Sequence, residues 1–164
     1  MLLTGNYERV LDEKLRFALP KPLREPLAAA GRLVLTPGTD GSLAIFSKDA
    51  FESLADRLAS RSPTGQDVRA YSRLLYAQSH SVEIDSQGRI RLPAELARLA
   101  SLEGEIMLLG VGDRIELWNK SRWEAYLADL APRYDQLAEA ALSDRPVQEQ
   151  ATPEMEIARP LQPR

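Results

Sequence analysis

Hydrophobic and polar positions alternate most regularly between Ser81 and Leu96. Val82, Ile84, Ile90 and Leu92 are separated by polar residues, the period-two pattern of strands with one buried face. Ser86-Gln87-Gly88 interrupts the alternation and predicts a tight turn, with Gly88 free to take a positive φ. Pro93 suits the first position of a helix, where its missing N–H is not needed. The same alternation predicts an earlier hairpin over residues 6–19. There Leu11, Phe17 and Leu19 face a core, while Arg16 and Ala18 share the other face. A short helix follows Pro20 and is expected to stop at Pro26. Residues 28–31 read as a turn, 32–36 and 42–46 as strands, and 37–41 as the turn between them.

Helical spacing of Phe51, Leu54, Ala55 and Leu58 predicts a helix over 48–60, with Ser47 as its N-cap. A linker at 60–65 leads to a helix over 66–78. Val68, Tyr71 and Leu75 point inward there, with Leu74 at the margin of that face. Strands follow at 105–109 and 115–118 around a turn at 111–113. Asn119 caps a helix bearing Trp123, Tyr126, Leu127 and Leu130, which Pro132 kinks or stops. A last helix over 133–142 carries Tyr134, Leu137, Ala138 and Ala141. Beyond Ser143, Pro146, Pro153, Pro160 and Pro163 accompany sparse apolar residues, so 144–164 is expected to be a disordered tail.

The two hairpins are copies. Asp12, Arg16, Leu19, Pro20 and Leu23 recur as Asp85, Arg89, Leu92, Pro93 and Leu96 at a constant spacing of 73 residues. Phe46 to Glu52 recurs as Trp118 to Glu124 at a spacing of 72. Two blocks in one order at nearly one spacing indicate a duplicated unit of roughly 60 residues. The expected organisation is a first unit over 1–60, a linker helix over 61–78, a second unit over 79–143, and the tail. Leu15 stands where the second copy has Gly88, so either the first turn differs in shape or Leu15 is strained.

Asp12 with Arg16, and Asp85 with Arg89, admit two readings. Each can be a pair that fixes its turn, with the aspartates and Gly88 shaping the loop. Alternatively the arginines project and bind phosphate or base edges, for which a planar bidentate fork is suited. From the residues alone the structural reading leads. Lys14, Lys21, Arg24 and Arg91 extend the arginines into a positive strip. The aspartates orient rather than contact, since a carboxylate repels phosphate.

His80, Glu83 and Asp85 form a poor metal set, with one histidine in the chain, no cysteine, and His80 on the opposite strand face. Gly110-Val111-Gly112 lacks the third glycine of a dinucleotide loop. No phosphate loop or nucleophile–base constellation is recognisable, so neither catalysis nor a cofactor is expected. Phe46, Phe51, Trp118 and Trp123 occupy equivalent positions and read as packing residues.

Composition adds bounds. A chain of 164 residues with 44% hydrophobic content can build a real core. No apolar run approaches the roughly 20 residues that span a bilayer. The first residues lack the basic and apolar regions of a signal peptide, and a cytoplasmic protein is the simplest reading. The net charge of −3 argues mildly against nucleic acid as partner. A local basic face is what matters for that partner, and the bulk charge does not exclude one.

Asp-x-x-x-Arg followed by apolar-x-Leu-Pro, present twice in register, resembles the MraZ family of bacterial transcriptional regulators. Val68 to Ala77 and Ile115-Glu116-Leu117-Trp118 with Trp123 share the likeness, which covers about residues 1–140. The resemblance implies an α+β fold of two swapped-hairpin SpoVT/AbrB-like units forming a pseudo-twofold double-psi β-barrel with flanking helices. It implies double-stranded DNA as partner, met by the turn region that carries the arginines. It further implies a ring homo-oligomer on direct repeats upstream of the division and cell-wall gene cluster, associated with the nucleoid. Leu15, Pro22 and Pro26 depart from the family pattern in the first unit. An oligomeric interaction or scaffold protein that keeps the fold without DNA recognition is the alternative.

Overall fold

The computed structural model describes residues 1–143; the tail expected at 144–164 lies outside the described residues. The chain divides into two compact units, one over Met1–Asp129 and one beginning at Leu130. In chain order the first holds β1 (Asn6–Val10), β2 (Arg16–Ala18), α1 (Lys21–Ala29), β3 (Leu33–Pro37), β4 (Leu43–Ser47), α2 (Lys48–Ala59) and α3 (Gln66–Ala77). It continues with β5 (His80–Val82), β6 (Arg89–Arg91), α4 (Ala94–Leu99), β7 (Glu105–Val111), β8 (Arg114–Asn119) and most of α5 (Lys120–Leu130). In the second unit a 3-10 turn at Ala131–Arg133 precedes α6 (Tyr134–Leu142). Pro132 lies inside that turn, where it supplies the break expected of it. The architecture is α+β with antiparallel strand pairing.

Strand pairing joins the two repeats. A six-stranded sheet has the order β1-β7-β8-β4-β3-β5, and β2 and β6 form a separate two-stranded ribbon. Only β3–β4 and β7–β8 are pairs within one repeat. The others cross between repeats: β1 with β7, β5 with β3, β4 with β8, and β2 with β6. The registers obey the repeat spacing. Phe17 pairs with its own counterpart Ile90, and Ala44 with its counterpart Glu116. Tyr7 opposite Leu108 is the equivalent of His80 opposite Leu35. A pseudo-twofold axis therefore passes through the centres of the ribbon and of the β4–β8 pair.

Alternation places the core. Phe17, Leu19, Ile90 and Leu92 from the hairpins are buried against Leu33, Leu35, Leu43, Ile45, Ile106, Leu108, Ile115 and Leu117 from the sheet. Strand β4 is buried along its whole length, because the helices cover its second face. Phe46 packs on Phe51 at 6.1 Å between ring centroids, and Trp118 on Trp123 at 5.5 Å. Such tilted or edge-on contacts suit the ring quadrupoles. Ser47 Oγ accepts from Ala50 N at 3.2 Å and starts α2, while Asn119 Oδ1 accepts from Arg122 N at 3.2 Å at the start of α5.

Three local features differ from the pattern or resolve it. Helix α1 runs through Pro26 to Ala29 instead of stopping. The missing N–H deprives only the Pro22 carbonyl of its intrahelical donor, and buried Leu23 and Leu27 pin the helix on both sides of the proline. The expected turn is thereby shortened to Ala30 and Gly31, which has φ +80°. In α3 only Leu75 is fully buried; Tyr71 and Leu74 are 45% and 59% exposed, so the inward stripe is narrower than the apolar spacing suggested. At the hairpin turns Leu15 has φ +59° and Gly88 φ +74°, so the two turns share one shape and Leu15 is the strained residue.

A second, smaller constraint acts at Gly88. Arg24 of α1 lies over this turn, and a Cβ on residue 88 would push the flexible end of its side chain aside. The counterpart of Arg24 is the small residue Ala97, and the counterpart of Gly88 is Leu15. Gly88→Ala is expected to cost about 1–3 kcal/mol in urea unfolding from backbone strain and this displacement together. In an Arg24→Ala background the cost should fall by about 0.5 kcal/mol or more. Equal costs in the two backgrounds would show that Arg24 does not constrain the turn.

Candidate nucleic-acid interface

Each hairpin turn is built on one aspartate. Asp12 and Arg16 close a three-residue loop whose last residue, Leu15, takes the left-handed conformation typical of such loops. Asp12 N donates to Arg16 O at 2.9 Å, and Leu15 N donates to Asp12 O at 3.0 Å. The carboxylate completes the loop. Its Oδ1 accepts from Lys14 N at 2.9 Å and Arg16 N at 2.8 Å, and its Oδ2 from Arg16 Nε at 2.8 Å. Asp85 repeats this arrangement with Gln87 N, Arg89 N and Arg89 Nε, all at 2.9 Å. A carboxylate that accepts three N–H groups is stabilised in its charged form. The backbone N–H of Arg16, then its side chain and the Lys14 N–H, hold the Asp12 carboxyl below the usual aspartate range. Arg89 and Gln87 do the same to Asp85.

The consequence is a pair of oriented arginines. With Nε bound, the Nη groups of Arg16 and Arg89 have no hydrogen-bond partner among the described residues. On the β2–β6 ribbon Phe17 and Ile90 point into the core, so Arg16, Ala18, Arg89 and Arg91 point outward. Arg16 stands opposite Arg91, and Ala18 opposite Arg89.

The remaining basic residues fall at the two ends of the ribbon. Lys14 lies in the first turn beside Arg16. Leu19 N donates to Gly88 O at 2.9 Å, which brings the end of β2 and the start of α1 to the second turn. Lys21 and Arg24 therefore sit at the Arg89 end, with Lys21 paired to Glu25 at 3.5 Å. Thus Lys14, Arg16 and Arg91 occupy one end, and Lys21, Arg24 and Arg89 the other. The pattern did not single out Arg9, whose Nε donates to Ala18 O at 3.2 Å at the Arg89 end. Nor did it show that Arg24 reaches the other repeat's turn. The visible signal was a pair of differences between the copies, Leu15 against Gly88 in the turns and Arg24 against Ala97 in the helices that follow.

His80 and Glu83 line a surface cleft together with Arg32 and Arg91, whose charges oppose a cation there. Among the described residues no three acidic or histidine side chains are grouped to hold a metal ion. No helix among them is long and apolar enough to cross a membrane.

The carboxylate locks have a pH signature. The folded-state pKa of each aspartate is depressed, so their contribution is complete above the ordinary aspartate value of 3.8 and is lost as pH falls through the depressed one. Carboxyl carbon and Arg16 and Arg89 amide shifts, followed by NMR from pH 6 to pH 2, are expected to titrate with midpoints below 3.8. Midpoints at or above that value would contradict the locks.

Comparison with known proteins agrees along most of the chain. Residues 2–74 and 75–144 each match the family model for MraZ protein. The protein named Transcriptional regulator MraZ from Heliobacterium modesticaldum is 36% identical over 138 residues, which is 84% of this chain and 95% of that protein. Its namesake from Saccharopolyspora erythraea is 39% identical over 141 residues, 86% of this chain and 97% of that protein. That from Alkaliphilus oremlandii is 38% identical over 137 residues, 84% and 94% of the two chains. With both repeats matched and identities of this size over more than four-fifths of its length, the chain belongs to the MraZ family.

Proposed function

We propose that this chain is a sequence-specific DNA-binding transcriptional regulator that meets DNA with the β2–β6 ribbon and its two turns. The observation that carries the reading is the duplicated carboxylate lock, which holds Arg16 and Arg89 by Nε and leaves their Nη groups outward. A guanidinium so fixed can bind end-on to the O6 and N7 of guanine or to a phosphate. The major groove of B-DNA is wide enough for a two-stranded β-ribbon. Lys14, Lys21, Arg24 and Arg91 supply further contacts, while Asp12, Asp85 and Gly88 shape the turns without touching DNA. The names of the relatives, all transcriptional regulators, support the same reading.

The eight strands close as a double-psi β-barrel, and protomers assemble into a ring on repeated promoter boxes ahead of division and cell-wall genes. The protein acts in the cytoplasm at the nucleoid. Ring assembly accounts for the acidic net charge of −3. Each protomer makes few phosphate contacts, and linked protomers on repeated boxes raise apparent affinity by about 10²–10⁴. The acidic net charge of −3 favours the other reading, an oligomeric scaffold without DNA recognition; exposed Tyr71, Leu74 and Leu99, which line an apolar cleft, suit an oligomer in either reading.

Fluorescence anisotropy with the gene's own upstream region and a scrambled duplex, over a salt series, tests the proposal. The native duplex should bind preferentially. Arg16→Ala and Arg89→Ala should each weaken it, and each lost phosphate contact should flatten the log–log salt slope by about 0.9. A folded oligomer that binds neither duplex at moderate salt would reject the regulator in favour of the scaffold.

A further inference from the structure

The ribbon is twofold symmetric in backbone but not in charge. Of the seven cations around it only Arg16 and Arg89 are counterparts; Lys14, Arg91, Lys21, Arg24 and Arg9 have Gln87, Ala18, Ala94, Ala97 and Val82 in the equivalent places. A symmetric ribbon would bind DNA equally well in either direction. Direct repeats require each protomer to meet DNA in one orientation; we infer that Arg91, standing across the ribbon from Arg16, is the residue that sets that orientation. The inference rests on the DNA-binding reading above.

Their register puts Arg16 and Arg91 directly opposite, on one face, with Cβ atoms about 4.5–5.5 Å apart in such a pair. The Nε of Arg16 is held by Asp12 at 2.8 Å. Its Nη groups and the whole Arg91 guanidinium lack hydrogen-bond partners among the described residues. Glu83 lines the same cleft as Arg91 but makes no ion pair with it. Like charges facing each other across a strand pair repel. An acceptor-rich group of DNA, a phosphate or a guanine edge, placed between them turns that repulsion into a clamp with two guanidinium jaws. The other end of the ribbon has Ala18 opposite Arg89, so no second guanidinium faces Arg89 across the strands; Arg9 of β1 lies at that end with its Nε bound to Ala18 O and its Nη1 to Glu8 O. Its other extra cations lie on α1, where Arg24 covers Gly88 and Lys21 pairs with Glu25. A DNA site without twofold symmetry is therefore read one way round.

The chain has no cysteine, so a single introduced thiol can carry a DNA-cleaving iron chelate. Glu13→Cys and Ser86→Cys place that probe at equivalent points of the two turns. On a duplex trimmed to one binding footprint, the two probes should cut opposite flanks, each favouring its own side by about tenfold or more. Arg91→Ala should bring the flanks within about twofold of each other, and Ala18→Arg with Arg91→Ala should reverse the preference. Arg91→Ala should melt no lower than the parent, because it removes a repulsion. That single variant decides the matter if the double one does not fold. A fall of the salt slope by about 0.9 in Arg91→Ala assigns the clamp to a phosphate, and an unchanged slope assigns it to a base edge. One-sided cutting that survives Arg91→Ala, or two-sided cutting by the parent, overturns the inference. Loss of salt-sensitive binding by the unlabelled protein would instead overturn the DNA-binding reading itself.

Discussion

Neither repeat can complete its own sheet. Strands β1, β2, β5 and β6 find their hydrogen-bonded partners only in the opposite repeat, and β4 and β8 are joined across it. This exchange is the constraint from which the rest follows. The strands expected to pair as hairpins, β1 with β2 and β5 with β6, pair instead across the repeats and form one core in which Phe17 and Ile90 meet on the axis. The same exchange brings the two arginine-bearing turns to opposite ends of one ribbon. It also lays helix α1 of the first repeat over the turn of the second.

Once backbone symmetry is set by the core, side chains outside the core are free to diverge, and they do so in matched sets. Leu15 stands for Gly88 and Ala97 for Arg24; the strained left-handed leucine packs its side chain against the core. The aspartate locks are the part that did not diverge. Each serves its loop and its arginine with one carboxylate, so losing either would unmake a turn and release a guanidinium together. The cations around the locks vary between copies, and that variation distinguishes one end of the ribbon from the other.

Much of this was legible in the residues. Period-two alternation marked the strands on either side of both turns, and the spacing of 73 exposed the duplication and paired Asp12 with Asp85. Ser47 and Asn119 announced the helix starts. The exchange of strands was not legible from alternation, because period two tells which face is buried and says nothing of which strand lies alongside. For that reason Arg24 could be named as basic but not located at the Gly88 turn. Pro26 misled because its local cost is one hydrogen bond, which the burial of Leu23 and Leu27 outweighs. Tyr71 and Leu74 misled because apolar spacing on α3 is wider than the stripe the sheet can cover.

Hydrogen exchange followed by mass spectrometry, on the full chain with and without its upstream duplex, tests most directly whether this ribbon is the surface that meets DNA. Amides over residues 12–18 and 85–91 are expected to slow on binding, with residues 48–59 of helix α2 unchanged. Slowing confined to α2 and α3, with the ribbon unaltered, would contradict the account and move the interface to the helical face.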